Sequence, residues 1–101
     1  MKIDRDHVVG ALRAQRDPIE QRYGIRLVGL IGSVARGDAK PESDVDVVVD
    51  IVGTPSLFDL SRAERDLEEA IGLGMPVEIV TWEGMRPSGR AIMERDLVPL
   101  S

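Results

Sequence analysis

The chain has 101 residues, of which 43% are hydrophobic and only 3% aromatic, so a single domain over residues 1–101 with an aliphatic core is expected. The formal net charge of −5 argues against stand-alone nucleic-acid binding, which needs clustered Lys and Arg. The lack of cysteine excludes disulfides and zinc fingers, and the charged N-terminus without a long apolar run predicts a cytoplasmic protein with no membrane segment.

The N-terminal part of the chain predicts one kinked helix or two short ones. Residues 4–16 place their apolar side chains on one side of a helix, with Asp4 as the N-cap. Asp17 is predicted to cap a second helical segment in which Pro18 takes the first position. Gly24 is predicted to end it.

The remaining elements follow from apolar periodicity and from the positions of glycine and proline. The predicted segments are strands at 25–31, 44–51 and 77–82, an irregular connection at 32–43, and helices at 57–71 and 88–96. Residues 97–100 are apolar with little predicted room to pack internally, so they either form a partner surface or cover an edge of the sheet.

The order of these elements predicts an α/β fold with a small mixed sheet of about three strands flanked by helices. The helix at 57–71 is a right-handed crossover, which makes the strands on either side of it parallel. The connection at 32–43 is too short for a second crossover of that kind. The first and second strands are therefore expected to be antiparallel.

This topology predicts that acidic side chains meet a glycine-serine turn at one edge of the sheet. Asp44 and Asp46 leave the same face of a strand, and their repulsion favours a cation between them. Oxygen ligands of this kind suit Mg²⁺ or Mn²⁺. Gly32 allows close approach of a phosphate, and Ser33 offers a hydroxyl and an N–H group beside it. Glu78 would lie at the same edge.

Two linked motifs resemble those of the minimal nucleotidyltransferases in the DNA polymerase β-like superfamily. They are Gly32-Ser33-Val34-Ala35-Arg36-Gly37-Asp38 and Ser43-Asp44-Val45-Asp46, followed downstream by Phe58-Asp59-Leu60 and Val77-Glu78-Ile79-Val80-Thr81. The resemblance implies a palm-like fold and Mg²⁺-dependent transfer of a nucleoside monophosphate, with two ions that activate the acceptor and neutralise the leaving pyrophosphate.

The resemblance also implies roles for individual residues. Asp44, Asp46 and Glu78 would be the catalytic metal ligands, although the third acid of this family is usually Asp rather than Glu. The nucleotide-binding residues would be Gly32, Ser33, Arg36 and Ser43. For Arg36 two hypotheses remain open: it grips the triphosphate, or it only pairs with Asp38 to hold the loop.

The biological role implied by the resemblance is that of an antitoxin in a HEPN/MNT toxin–antitoxin pair. Such an antitoxin transfers AMP from ATP to a tyrosine of its HEPN-domain toxin partner. Two alternatives are a binding-only inhibitor, favoured by the Glu78 departure, and the catalytic subunit of a two-chain enzyme that modifies RNA or a small molecule.

Overall fold

The computed structural model describes residues 3–83 and 87–100 and contains one mixed sheet with helices around it. The elements in chain order are α1 (Arg5–Ala14), α2 (Arg16–Tyr23), β1 (Ile25–Ile31), α3 (Gly32–Arg36), β2 (Val45–Ile51), α4 (Leu57–Ile71), β3 (Val77–Thr81), α5 (Pro87–Asp96) and β4 (Val98–Pro99). The strand order is β3-β2-β1-β4. The antiparallel β1–β2 pair and the parallel β2–β3 pair are confirmed.

The N-terminal helices differ from the prediction at their junction. Asp4 caps α1 as expected and accepts a hydrogen bond from the Asp6 N–H. The prediction that Asp17 caps α2 is wrong, because α2 begins at Arg16 and Asp17 lies in its first turn. Gln15 has right-handed helical dihedral angles, so the chain passes from α1 into α2 without the extended residue that a side-chain N-cap requires. Gly24 ends α2 in the left-handed conformation, as predicted.

Helix α4 is fixed at its start by a capping box and along its length by an aliphatic stripe. Ser56 and Asp59 each accept a hydrogen bond from the other's backbone N–H, at 3.1 and 2.9 Å. On the apolar face of this helix, Ala63, Leu67 and Ile71 are buried. This face packs against α1 and β3 and forms the core with the β2 side chains of residues 45, 47 and 49.

The opposite face of the sheet is also covered, which bears on the site described below. Val48 points away from the main core, yet it is completely buried. Gly29 pairs directly with Val48, so the two residues share a face. A Cβ atom added to Gly29 would lie 2.6 Å from the Leu97 side chain. Leu97, which follows α5, therefore covers this second face.

The C-terminal residues form a fourth strand, which corrects the prediction of about three. Strand β4 pairs antiparallel with the edge of β1, and the Leu100 N–H donates to the Val28 carbonyl at 3.0 Å. Leu100 is completely buried, so the prediction of little internal room is wrong. Val28 falls in the register shift of the β1–β2 pair, which leaves its carbonyl available to the tail. The edge-covering alternative is confirmed.

Every helix within residues 3–83 and 87–100 is too short or too polar to span a bilayer.

Candidate active site

Asp46 stands at the centre of the site because it has neighbours on both sides within the sheet. It pairs in register with Ile31, the last residue of β1, and with Glu78 on the parallel strand β3. Its neighbour Ile31 leads directly into Gly32, the first residue of α3. The β1 end, the start of β2 and the start of β3 therefore meet at one edge, hereafter the acidic rim. These strand ends were predicted from the sequence to meet, and the register of the sheet brings them together.

Gly32 lies against the Asp46 carboxylate in a conformation that favours glycine. Its φ of +81° is in the left-handed region, and an added Cβ atom would lie only 2.6 Å from Asp46 Oδ2. Any larger residue would be strained by its backbone and would also displace the carboxylate. Glycine at this position thus allows the start of α3 to lie close to an acidic side chain of β2.

The charges of the acidic rim act on each other. Burial raises the pKa of the half-buried Asp46 carboxyl above its usual value, and the negative charges of Glu78 and Asp44 raise it further. Arg36 acts in the opposite direction and lowers the pKa of Asp46. These effects place the three carboxylates in mutual electrostatic range, with one positive charge nearby.

The predicted irregular connection begins with a single helical turn, α3, which places Ser33 beside the rim. The chain turns at Gly37, whose left-handed conformation ends α3, and the Asp38 N–H donates to the Ser33 carbonyl at 3.0 Å. Val34 and Ala35 are buried and anchor the turn to the core. Ser33 itself is half-buried at the second position of α3.

Arg36 extends from α3 and forms two ion pairs. Its guanidinium lies 3.5 Å from Asp38 Oδ2 and 3.7 Å from Asp96 Oδ2. The pairing with Asp38 was one of the two hypotheses for this residue. The pairing with Asp96, at the end of α5, follows from no local pattern because the two residues are far apart in the sequence. Half of the Arg36 side chain remains exposed and is available to a ligand.

Ser43 and Asp44 belong to the loop that leads into β2. The Lys40 N–H donates to Ser43 Oγ at 3.0 Å, which holds the loop in a tight turn. Asp44 immediately precedes β2 rather than beginning it, and its side chain is exposed. Glu78 is exposed as well. Two of the three predicted acids can therefore change rotamer freely at the acidic rim.

The donor set of the rim suits a hard divalent cation, although the side chains are not preassembled around one. Carboxylate oxygens are the ligands that Mg²⁺ prefers, and a cation would relieve the repulsion that raises the pKa of Asp46. Within residues 3–83 and 87–100, no three acidic or histidine side chains surround a common point. Rotation of the exposed Asp44 and Glu78 side chains toward Asp46 would be needed.

Sequence reasoning missed two glutamates that support the rim. Glu64 and Glu68 lie on α4 outside its buried apolar stripe of Ala63, Leu67 and Ile71. They accept hydrogen bonds from backbone N–H groups of Ile79 and Val77, both at 2.9 Å. Their spacing of four residues was the only signal, since it places both on one face of the helix.

Comparison with known proteins assigns this geometry to a family. The sequence matches the nucleotidyltransferase domain family over residues 12–99. It is 38% identical over 68 residues to the protein adenylyltransferase MntA of Thermococcus cleftensis, covering 67% of this chain and 69% of that protein. It is 36% identical over 70 residues to a protein assigned as a protein adenylyltransferase in Methanocaldococcus jannaschii, covering 69% and 73%.

Solved structures give the same result for the fold. A chain assigned as a minimal nucleotidyltransferase superposes with a TM-score of 0.68 at 35% identity, covering 90% of this chain and 94% of that one. A toxin–antitoxin crystal structure with AMP-PNP superposes with a TM-score of 0.63 at 18% identity, covering 98% and 73%. At that lower identity the likeness concerns the fold alone.

Proposed function

The chain belongs to the nucleotidyltransferase domain family and is a nucleotidyltransferase, and we propose that it transfers AMP from ATP to a tyrosine hydroxyl of another protein. The proposed acceptor is a HEPN-domain toxin in the cytoplasm, and the chain acts as the antitoxin of that pair. The choice of AMP and of a protein acceptor is supported by similarity to MntA, which is named a protein adenylyltransferase. The toxin partner is supported by a fold neighbour that is a toxin–antitoxin complex with AMP-PNP.

The observation that carries the proposal is the position of Asp46 between Gly32 and Glu78. A carboxylate held against the start of α3 is where a nucleotide phosphate and a divalent cation would meet. Asp44, Asp46 and Glu78 would hold Mg²⁺, which supplies charge neutralisation at the attacking and leaving oxygens when bound. Ser33 would donate to a phosphate oxygen beside Gly32.

Two further residues complete the proposed nucleotide site. The guanidinium of the half-exposed Arg36 side chain would exchange its carboxylate partners for triphosphate oxygens. Ser43 would keep the loop before Asp44 in place through its bond to the Lys40 N–H. Together they would hold the triphosphate beside the acidic rim.

The proposed reaction is a single displacement at phosphorus. The tyrosine oxygen forms a bond to the α-phosphorus of ATP, and the bond from that phosphorus to the α,β-bridging oxygen breaks. Pyrophosphate leaves, and the phenolic proton passes to Glu78, whose exposed side chain is accessible to an incoming acceptor. The protein contributes mainly positioning and charge neutralisation.

The decisive experiment uses ATP labelled at either the α or the γ phosphorus. The chain is co-purified with its native partner and incubated with each labelled ATP and Mg²⁺, and both proteins are then weighed by mass spectrometry. Label from α-labelled ATP on a partner tyrosine, without label from γ-labelled ATP, is expected. The Asp44→Asn plus Asp46→Asn variant is the matched control and should transfer no label.

Other outcomes would contradict the proposal in defined ways. Label from γ-labelled ATP would indicate phosphorylation, and label on RNA or a small molecule would indicate a different acceptor. Tight binding of the partner with no label would indicate a binding-only inhibitor. That second candidate is favoured by Glu78 in place of the usual Asp, and by the lack of three preassembled ligands among the described residues.

A further inference from the structure

The outer edge of β3 is covered by side chains rather than by another strand. Among residues 3–83 and 87–100, β3 lies at one edge of the sheet and pairs with β2 alone. The Trp82 N–H continues the ladder inward to the Val49 carbonyl, so alternate N–H groups of β3 face outward. Two of these, on Val77 and Ile79, donate to carboxylates of α4. Two backbone donors of this edge are thereby satisfied by side chains.

The Glu64 and Glu68 carboxylates can each reach a separate N–H group of β3 because the two glutamates are spaced almost as far apart along α4 as the two N–H groups are along the strand. Glu64 and Glu68 are four residues apart on α4, a rise of about 6 Å. Val77 and Ile79 are two residues apart on β3, a rise of about 6.6 Å. Each carboxylate therefore reaches its own N–H group, at 2.9 Å in both cases.

These hydrogen bonds enclose Glu78 on both sides along the strand. The Ile79 N–H belongs to the peptide group directly after the Glu78 Cα atom, and the Val77 N–H belongs to the peptide group between Pro76 and Val77. The backbone is therefore held by a charged acceptor both before and after Glu78. Toward the inside of the sheet, Glu78 pairs in register with Asp46 of β2. Helix α4 thus holds the β3 backbone on both sides of Glu78.

We propose that Glu64 and Glu68 are positioning residues that hold the β3 backbone so that Glu78 can join Asp46 in binding a divalent cation, an inference that rests on the proposed function. Both glutamates are partly buried, and removal of either leaves a strand N–H group without an acceptor. Because Glu78 is exposed, its own side-chain contacts do not fix it, and the backbone clamp supplies the needed order.

The test compares substitutions that remove the hydrogen bonds with substitutions that keep them. The Glu64→Ala plus Glu68→Ala variant loses both acceptors, whereas Glu64→Gln plus Glu68→Gln keeps a carbonyl oxygen at each position. Glu69→Ala, on the same helix and exposed, is the control for loss of charge. Readouts are Mn²⁺ affinity by calorimetry on the isolated chain, amide exchange at Val77 and Ile79, and kcat for label transfer.

The expected result is a loss of about 10- to 100-fold in Mn²⁺ affinity for the double Ala variant, as for other groups that orient metal ligands. The Gln variant and Glu69→Ala should retain affinity within about twofold of the wild type. In a Glu78→Ala background, the double Ala substitution should cause no further loss, because its effect passes through Glu78. Amide exchange at Val77 and Ile79 should accelerate only in the Ala variant.

The inference is overturned if the folded double Ala variant binds Mn²⁺ and transfers label as the wild type does. It is equally overturned if the Gln variant loses as much affinity as the Ala variant, or if the loss persists in the Glu78→Ala background. Should the double variant not fold, the single Ala variants decide by the same criteria. Failure of the wild type to transfer label would contradict the proposed function but not the positioning role of Glu64 and Glu68, since the Mn²⁺ and amide measurements need no acceptor.

Discussion

Gly32 and Asp46 are in such close contact that a single added carbon atom on Gly32 would lie 2.6 Å from the Asp46 carboxylate oxygen Oδ2. This contact joins the start of α3, where a phosphate is proposed to bind, to the central acid of the rim. Glycine is needed at this position for two reasons: the backbone has a φ of +81°, and a side chain would collide with the carboxylate.

Gly32→Ala is expected to abolish nucleotide transfer, while its effect on stability stays moderate. A left-handed alanine costs about 1–2 kcal/mol of folding free energy. Gly74→Ala is the matched control, because Gly74 has a φ of +71° with no atom within 4 Å of an added Cβ. Denaturant unfolding should show similar losses for both variants, and only Gly32→Ala should lose label transfer. Equal activity of the two variants would contradict the role assigned to Gly32.

Asp46→Asn is expected to raise the stability of the metal-free protein at neutral pH. The folded state raises the pKa of Asp46, so the favourable contribution of its protonated form is lost as pH rises through that raised value. The stability difference between variant and wild type should therefore disappear when the pH falls below about 3.9, the usual value for Asp. Thermal unfolding across this pH range measures it.

Magnesium should reverse the order of stability in the same experiment. Saturating Mg²⁺ is expected to stabilise the wild type and to have little effect on Asp46→Asn, because an ion that binds only the folded state adds stability. Asp50→Asn, at the far end of the same strand, is the control and should respond to Mg²⁺ as the wild type does. A wild type indifferent to Mg²⁺ would argue against the metal site.

Arg36→Ala is expected to raise the KM for ATP about tenfold or more, since a hydrogen bond to a charged group contributes about 1.5–3 kcal/mol. Its exposed ion pairs with Asp38 and Asp96 should contribute at most about 1 kcal/mol to stability. Asp38→Asn and Asp96→Asn leave the guanidinium in place and should keep the KM unchanged. If only loop pairing matters, the two Asn variants will impair turnover as much as Arg36→Ala does.

Leu67→Ala is expected to cost about 2–5 kcal/mol of unfolding free energy, because a completely buried leucine leaves a cavity in the core. Phe58→Ala removes a side chain that is 77% exposed and should change stability by no more than about 0.5 kcal/mol. Urea titration of the two variants provides the comparison. A large loss for Phe58→Ala would mean that this side chain is covered in solution.

The architecture around the acidic rim was accessible from the sequence because it depends on local patterns. The aliphatic run at residues 25–31 and the strong helix at 57–71 determined the element order, and connection lengths then determined strand direction. With those directions, Gly32, Asp46 and Glu78 had to meet at one edge. The linked glycine-serine and Asp-x-Asp motifs supplied the family.

The parts that the sequence did not predict are contacts between distant elements. Asp17 was expected to cap α2, but the helical path through Gln15 decided otherwise. Leu100 was expected to lack room inside, but its N–H donates to the Val28 carbonyl at the register shift of β1 and its side chain is completely buried.

By itself, then, the sequence determined the three main strands, the directions of the β1–β2 and β2–β3 pairs and the edge at which Gly32, Asp46 and Glu78 meet, because periodicity and connection length act within short stretches of chain. Only the tertiary structure decided that Glu64 and Glu68 bind β3 and that Arg36 pairs with Asp96. Those partners depend on how whole elements are placed relative to one another, and a helical period specifies a face but not what the face meets.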